Sequence, residues 1–259
     1  MAPRRPRRAP ARLTPTVLLL VLAAVAFVLA GRAGWLPGPL AELAEGVAVE
    51  LGLPPAEQPQ QPAPRQPAPG RPGPQAPLDF AAVERDLASV RVEPERRAGY
   101  DREAWPHWLT ADGSCLTARE RVLEAESLER VRKTPDGCGI VGGRWLDLYT
   151  QETYTEPAAL DIDHLVALQE AHDSGGHAWS RERRAEFAND LSDPRTLIAV
   201  GAAVNRAKGA KGPEEWLPPD PAYRCRFVAD WVSVKARWGL SMDESERVAI
   251  GNILADCRR

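Results

Sequence analysis

Apolar and polar positions change their period several times along the chain, and each change marks an element. Val17 to Ala30 is an unbroken run of 14 apolar residues. From Pro54 to Pro77 the pattern vanishes, because 10 of those 24 residues are proline and almost no large apolar side chain is present to bury. Such a stretch cannot offset its own ordering entropy, so it reads as a disordered, locally polyproline-II tether. Leu40 to Leu53 has the pattern of a short amphipathic helix. Beyond residue 78, Thr117 and Glu120 form a capping box that opens a helix expected to reach about Val131. Ile140 and Val141, the pair Gly142-Gly143, and Trp145 to Tyr149 predict a β-hairpin. Leu160 and Ile162 alternate with Asp161 and Asp163 as in a short strand, and Leu197 to Val200 make a second strand after the turn at Asp193-Pro194. Ser180 begins a helical stretch to about Ala188, and another helix follows Gly201. Asp220 as N-cap and Pro221 start a longer helix, in which Tyr223, Phe227, Trp231, Val234 and Trp238 recur on one face until Gly239 stops it. Ser241 with Glu244 is a second capping box, opening the last helix toward Asp256. Trp179, Trp216, Trp231 and Trp238 read as core.

Three regions follow. Residues 1–34 are an export signal or an N-terminal membrane anchor. Arg4, Arg5, Arg7, Arg8 and Arg12 precede the apolar run and small residues follow it, with Ala30 and Ala33 as acceptable cleavage positions. Either way the remainder is translocated, so the protein is secreted or held on the extracytoplasmic side, touching membrane only through an uncleaved N-terminal segment. Residues 35–77 are a Pro-rich disordered linker, and residues 78–259 suffice for one domain with a core. Four cysteines in an oxidising compartment, none in a C-x-x-C pair, favour disulfides over a zinc knuckle. If the last two helices form an antiparallel hairpin, Cys225 lies 15 residues before Leu240 and Cys257 lies 17 after it. At ~1.5 Å per residue the two are nearly level, which pairs Cys225 with Cys257 and leaves Cys115 for Cys138. Charge adds a constraint. Of 33 basic and 36 acidic side chains, residues 78–259 hold 25 and 32. An acidic body excludes a wholly basic nucleic-acid coat, so phosphate chemistry would need a local cation cluster, a bound metal, or both.

The chemically informative stretch runs from Ala159 to Lys211. A strand ends in Asp163-His164, a second strand follows, and then a helix places Asn205 and Lys208 on one face. Carboxylate and amide oxygens suit Mg²⁺ or Mn²⁺, and a neutral histidine suits the base that deprotonates water in phosphodiester hydrolysis.

These residues carry a resemblance: Asp161 to Leu168, Phe187-Ala188-Asn189-Asp190, Leu197 to Val200, Asn205-Arg206-Ala207-Lys208-Gly209 and Glu215 to Pro219. The segment resembles the HNH-type, or ββα-metal, endonucleases. Among these it is most similar to secreted bacterial proteins sharing the C-terminal domain of GmrSD-type restriction enzymes. The likeness spans roughly Tyr100 to Cys257. It implies an α+β fold with a ββα-metal core embedded in a mostly helical, disulfide-stapled domain. It implies an endonuclease with His164 as general base, Asp163 and Asn205 holding one divalent cation, Mg²⁺ or Mn²⁺, and Lys208 with Arg206 on substrate phosphate. The expected partner is nucleic acid, DNA ahead of RNA, cut with weak sequence preference to leave 5′-phosphate and 3′-hydroxyl ends; no obligate protein partner is evident.

Two positions depart from the family pattern. Ala167 stands where proline is common, and Thr196 stands nine residues before Asn205, where an asparagine usually orients the histidine. The Thr196 hydroxyl or a backbone carbonyl is then expected to hold the imidazole Nδ1–H. The alternative reading is an extracytoplasmic module that keeps the scaffold and binds without cleaving; an antibacterial toxin would share the nuclease chemistry. His172 and His177 read as exposed loop residues, Glu170 as an exposed helix carboxylate, and Arg181, Arg183 and Arg184 as a charged helix surface.

Overall fold

The computed structural model describes residues 23–30, 40, 43, 44, 47, 48, 77–110 and 113–259. They fall in two units, divided between Ala63 and Pro64. In the first, residues 23–30 are helical. Among the described residues no helix is long and apolar enough to cross a membrane. The N-terminal half of the apolar run, nearly all of the proline-rich stretch and most of Leu40 to Leu53 lie outside the described residues.

The second unit is α+β, built from seven helices and three small two-stranded antiparallel sheets among the described residues. Helix α1 (Phe80–Ser89) is N-capped by Asp79 and packs on the long helix α6 (Pro221–Trp238). As the sequence predicts, Asp220 caps α6, Pro221 opens it, and Gly239 ends it at φ 67°, a left-handed conformation that costs glycine little. Helix α7 (Glu244–Asp256) folds back along α6, and disulfide Cys225–Cys257, with Cα atoms 5.8 Å apart, ties the start of one to the end of the other. Cys115–Cys138 is the other disulfide.

Three local expectations change. Helix α2 (Ala118–Glu126) begins at the Thr117–Glu120 capping box but ends five residues before Val131. The Leu128 amide and the Ser127 hydroxyl both donate to the Arg144 carbonyl, which draws the chain off the helix. The hairpin across Gly142-Gly143 does not form. Strand β1 (Arg132–Lys133) pairs with β2 (Ile140–Gly142), and β3 (Trp145–Leu146) pairs with β4 (Thr153–Tyr154). Neither glycine has a positive φ, which a two-residue hairpin turn requires. Helix α7 is capped by Asp243, whose carboxylate accepts from the Glu246 amide, and the Ser241 hydroxyl donates instead to the Ser174 carbonyl.

Strand β5 (Leu160–His164) pairs along its length with β6 (Leu197–Gly201), from Leu160 opposite Gly201 to His164 opposite Leu197. This ribbon separates two apolar clusters. Leu160, Ile162, Leu197 and Ala199 pack with Val122, Leu123 and Trp145, while Ile198 and Val200 join the main core around Trp105, Phe227 and Trp231. Burial on both faces fixes the register, since a one-residue slip would exchange the two sets. Helix α5 (Ala202–Lys208) follows β6 directly and packs on both strands, so the local order is strand, strand, helix. Helices α3 (Leu168–Asp173) and α4 (Arg181–Ala188) fill the interval between β5 and β6.

Candidate active site

A hollow of about 400 Å³ is lined by Ile162, Asp163 and His164 of β5, by Asn205 and Arg206 of α5, and by Tyr100 and Arg102. Acid, imidazole and amide therefore meet in one place, although Asp163 and Asn205 are 42 positions apart in the chain.

His164 is 6 % exposed. Its ring lies between Phe187, nearly parallel to it at 18° and 6.4 Å, and Trp108, at 5.4 Å. Nε2 is 2.9 Å from the Ala188 carbonyl, which can only accept, so Nε2 carries the proton and Nδ1 presents its lone pair. Burial pushes the imidazole down to about 3, against the opposing pull of that carbonyl. The ring is accordingly neutral at every pH near 7. The expected backbone carbonyl thus exists, but it grips Nε2 and not Nδ1. Thr196 does not reach the ring: its hydroxyl donates to Asp190 Oδ2 at 3.1 Å, and its carbonyl accepts from Leu165.

The segment Phe187 to Asp190 supports the site at four consecutive positions. Phe187 stacks near the ring, Ala188 accepts from it, and Asp190 receives Thr196 as well as Arg237. Asn189 donates to the Pro106 carbonyl and accepts from the Leu109 amide, both at 2.8 Å. That clamp holds Trp108 at φ 57°, a left-handed conformation unusual for a bulky side chain.

Asp163 is 4 % exposed, and both of its oxygens are engaged. Oδ1 accepts from Lys208 Nζ at 2.8 Å and Oδ2 from the Tyr149 hydroxyl at 2.6 Å. Burial pushes the carboxyl up, against the pull of the Lys208 charge and the two hydrogen bonds. Burial and the neighbouring Asp163 charge also push the Tyr149 phenol up, so it stays the donor. Tyr149 is positioned by Asp147, whose carboxylate accepts from the amides of Tyr149 and Gly201 and so ties the β3–β4 loop to the end of β6. Asn205 commits its amide nitrogen to Asp161 Oδ2 at 3.2 Å, leaving its oxygen as the end available to a ligand.

Of the two cations expected on phosphate, Arg206 lines the hollow and Lys208 does not. Lys208 is fully buried, bonded to Asp163 and to the His164 carbonyl. Arg102 stands at the rim in its place. Tyr100, Arg102 and Trp108 carry no periodic or motif signal in the sequence, because they reach the site from loops and a short turn, and Tyr149 stands out there only as the end of an expected hairpin strand. Other expectations change as well. His172 is buried in α3, with Nε2 3.3 Å from the Ala98 carbonyl, and His177 is half-buried, its Nδ1 against the His172 carbonyl. Glu170 is buried rather than exposed; with Glu246 it pairs Lys235 Nζ at 2.8 and 2.6 Å. Arg181 and Arg183 are exposed on α4, as a charged helix surface requires, and each, like the half-buried Arg184, donates to a backbone carbonyl; Arg183 and Arg184 lie over Trp179 and Trp105.

Residues 118–253 match the family model described as GmrSD restriction endonucleases, C-terminal domain. The chain is also 39% identical over 172 residues to an uncharacterized secreted protein of the fungus Arthroderma benhamiae, an alignment covering 66% of this chain and 82% of that one. That secreted relative is fungal, whereas the sequence resemblance points to bacterial proteins. No solved structure matches the chain.

Proposed function

Because the chain belongs to the family of the GmrSD restriction endonucleases' C-terminal domain, we propose that it is an exported endonuclease of the HNH type. It hydrolyses phosphodiester bonds of nucleic acid, DNA ahead of RNA, with the help of one divalent cation. The observation that carries this reading is a neutral imidazole, protonated on Nε2, on a residue that lines one hollow together with Asp163 and Asn205. The strand, strand, helix order of β5, β6 and α5 supports the ββα-metal assignment. Export is supported by the basic and apolar N-terminal pattern, by the two disulfides and by the secreted relative.

The donor set fits a hard cation, since Asp163 and Asn205 offer oxygens only and no sulfur ligand is near. Those two residues would hold Mg²⁺ or Mn²⁺, which when bound neutralises charge developing on the scissile phosphate. His164 Nδ1 takes the proton of the attacking water. As the P–O3′ bond breaks, the products carry a 5′-phosphate and a 3′-hydroxyl, the 3′-oxygen gaining a proton from solvent. The Ala188 carbonyl keeps hold of Nε2–H and so stabilises the imidazolium formed in that step. Arg206 and Arg102 contact the phosphate from the rim. Neither is aimed by a groove-reading helix, which agrees with weak sequence preference.

A second reading, a module that binds nucleic acid without cutting it, is favoured by one observation: both Asp163 oxygens already have donors. One experiment separates the two. The purified chain is expected to nick supercoiled plasmid in Mn²⁺ or Mg²⁺ and to stop in EDTA, with Asn205→Ala strongly impaired. Plasmid binding without nicking in either metal would select the second reading.

A further inference from the structure

Given a divalent cation between Asp163 and Asn205 as proposed above, we infer that Lys208 is a resident counter-ion that competes with it and sets the affinity of the site. Lys208 closes α5, is wholly shielded from solvent, and places Nζ 2.8 Å from Asp163 Oδ1 and 3.0 Å from the His164 carbonyl. A buried carboxylate without a partner is costly, so the ammonium is what allows Asp163 to be ionised inside the metal-free fold. The same charge opposes a second cation. Mg²⁺ bonds oxygen ligands at about 2.0–2.1 Å, so a cation held by Oδ1 would lie within a few ångströms of the ammonium. Buried charges at that separation are weakly screened. The Tyr149 hydroxyl, 2.6 Å from Oδ2, offers no relief on the other oxygen, because it too must turn or share.

The bond to the His164 carbonyl gives Lys208 a second place to rest. Were Asp163 to hold a cation, the ammonium would keep this partner while loosening its hold on the carboxylate. Lys208 is thus a positioning residue. It acts through Asp163 and couples metal loading to the end of β5, where His164 sits. A site built this way fills only where the cation is plentiful.

The test titrates Mn²⁺ into the purified full chain and into Lys208→Met, which keeps the length of the side chain and removes its charge, with binding read by calorimetry. The variant is expected to bind Mn²⁺ about tenfold more tightly, even if it is less stable without metal; a gain below threefold overturns the inference. If the variant does not fold, the wild-type chain answers alone. It has four lysines, and those at 208 and 235 have buried, hydrogen-bonded ammonium groups suited to direct observation by ¹⁵N NMR. Saturating Mg²⁺ is expected to shift the Lys208 Nζ signal and leave that of Lys235 in place; an unmoved Lys208 signal overturns the inference. A wild-type chain that cuts plasmid in Mn²⁺ while Lys208→Met gains nothing leaves the nuclease reading standing without this one. A wild-type chain and variant that bind no Mn²⁺ and cut nothing remove both.

Discussion

Replacing His164 with alanine separates loss of chemistry from loss of fold. The imidazole makes one hydrogen bond of 2.9 Å to a carbonyl and packs between two rings. Its removal leaves the Ala188 carbonyl without its donor, at roughly 1–3 kcal/mol, and opens a cavity smaller than the one left by Phe→Ala, which costs about 3–5 kcal/mol. A combined loss of about 3 kcal/mol leaves most molecules folded in a domain whose stability is on the order of 5–15 kcal/mol. A general base contributes about 10²–10⁴-fold to the rate, or about 3–5 kcal/mol of barrier. The variant should therefore melt at a lower temperature, remain largely folded at 25 °C, and nick plasmid at least a hundredfold more slowly. Nicking rates in Mn²⁺ are compared with circular-dichroism melts of the same preparations. A folded variant that nicks within threefold of wild type would refute the role of His164, because no surviving side chain described at the hollow offers an unprotonated nitrogen there.

Stability should fall as pH rises from 5 to 9. Burial raises Glu126 to about 8, Glu246 to about 7, and Asp173 and Asp230 to about 6, so the folded state keeps protons that the unfolded chain has already released. For Glu126 that stabilisation is complete below about 4.5 and is lost as pH passes about 8; Glu126→Gln should flatten the melting-temperature curve, and parallel curves would count against the assignment. Lys235→Met removes the cation shared by Glu170 and Glu246 and should cost about 3–5 kcal/mol in urea denaturation; an unchanged midpoint would mean the carboxylates take up protons without strain. Replacing Cys225 and Cys257 together with serine should cost about 2–4 kcal/mol by freeing the unfolded α6–α7 segment, a loss absent if reduction of the wild type leaves its melting temperature unmoved.

Several parts of the fold are legible in sequence because their causes are local. The caps at Thr117, Ser180 and Asp220, the stop at Gly239 and the alternation in Leu160 to Asp163 each depend on residues within a few positions, and each forms as read. The disulfide pairing is nearly local too, since two helices joined by a short turn must run level. Reading fails where a distant group wins. The Arg144 carbonyl ends α2 early, and separate partners for β2 and β3 replace the hairpin.

At the site, sequence chose the residue types and tertiary structure chose their roles. Asp163, His164 and Asn205 stand out by chemistry and spacing and Arg206 through the resemblance, and all four line one hollow. Nothing in the sequence says that the Ala188 carbonyl holds the imidazole, because any residue type supplies a carbonyl. Nor does it say that Lys208 turns inward while Arg102 reaches the rim. Those outcomes depend on which long side chain the packing leaves beside a buried carboxylate, and only the assembled core of helices and β5–β6 ribbon brings such distant positions within hydrogen-bonding reach.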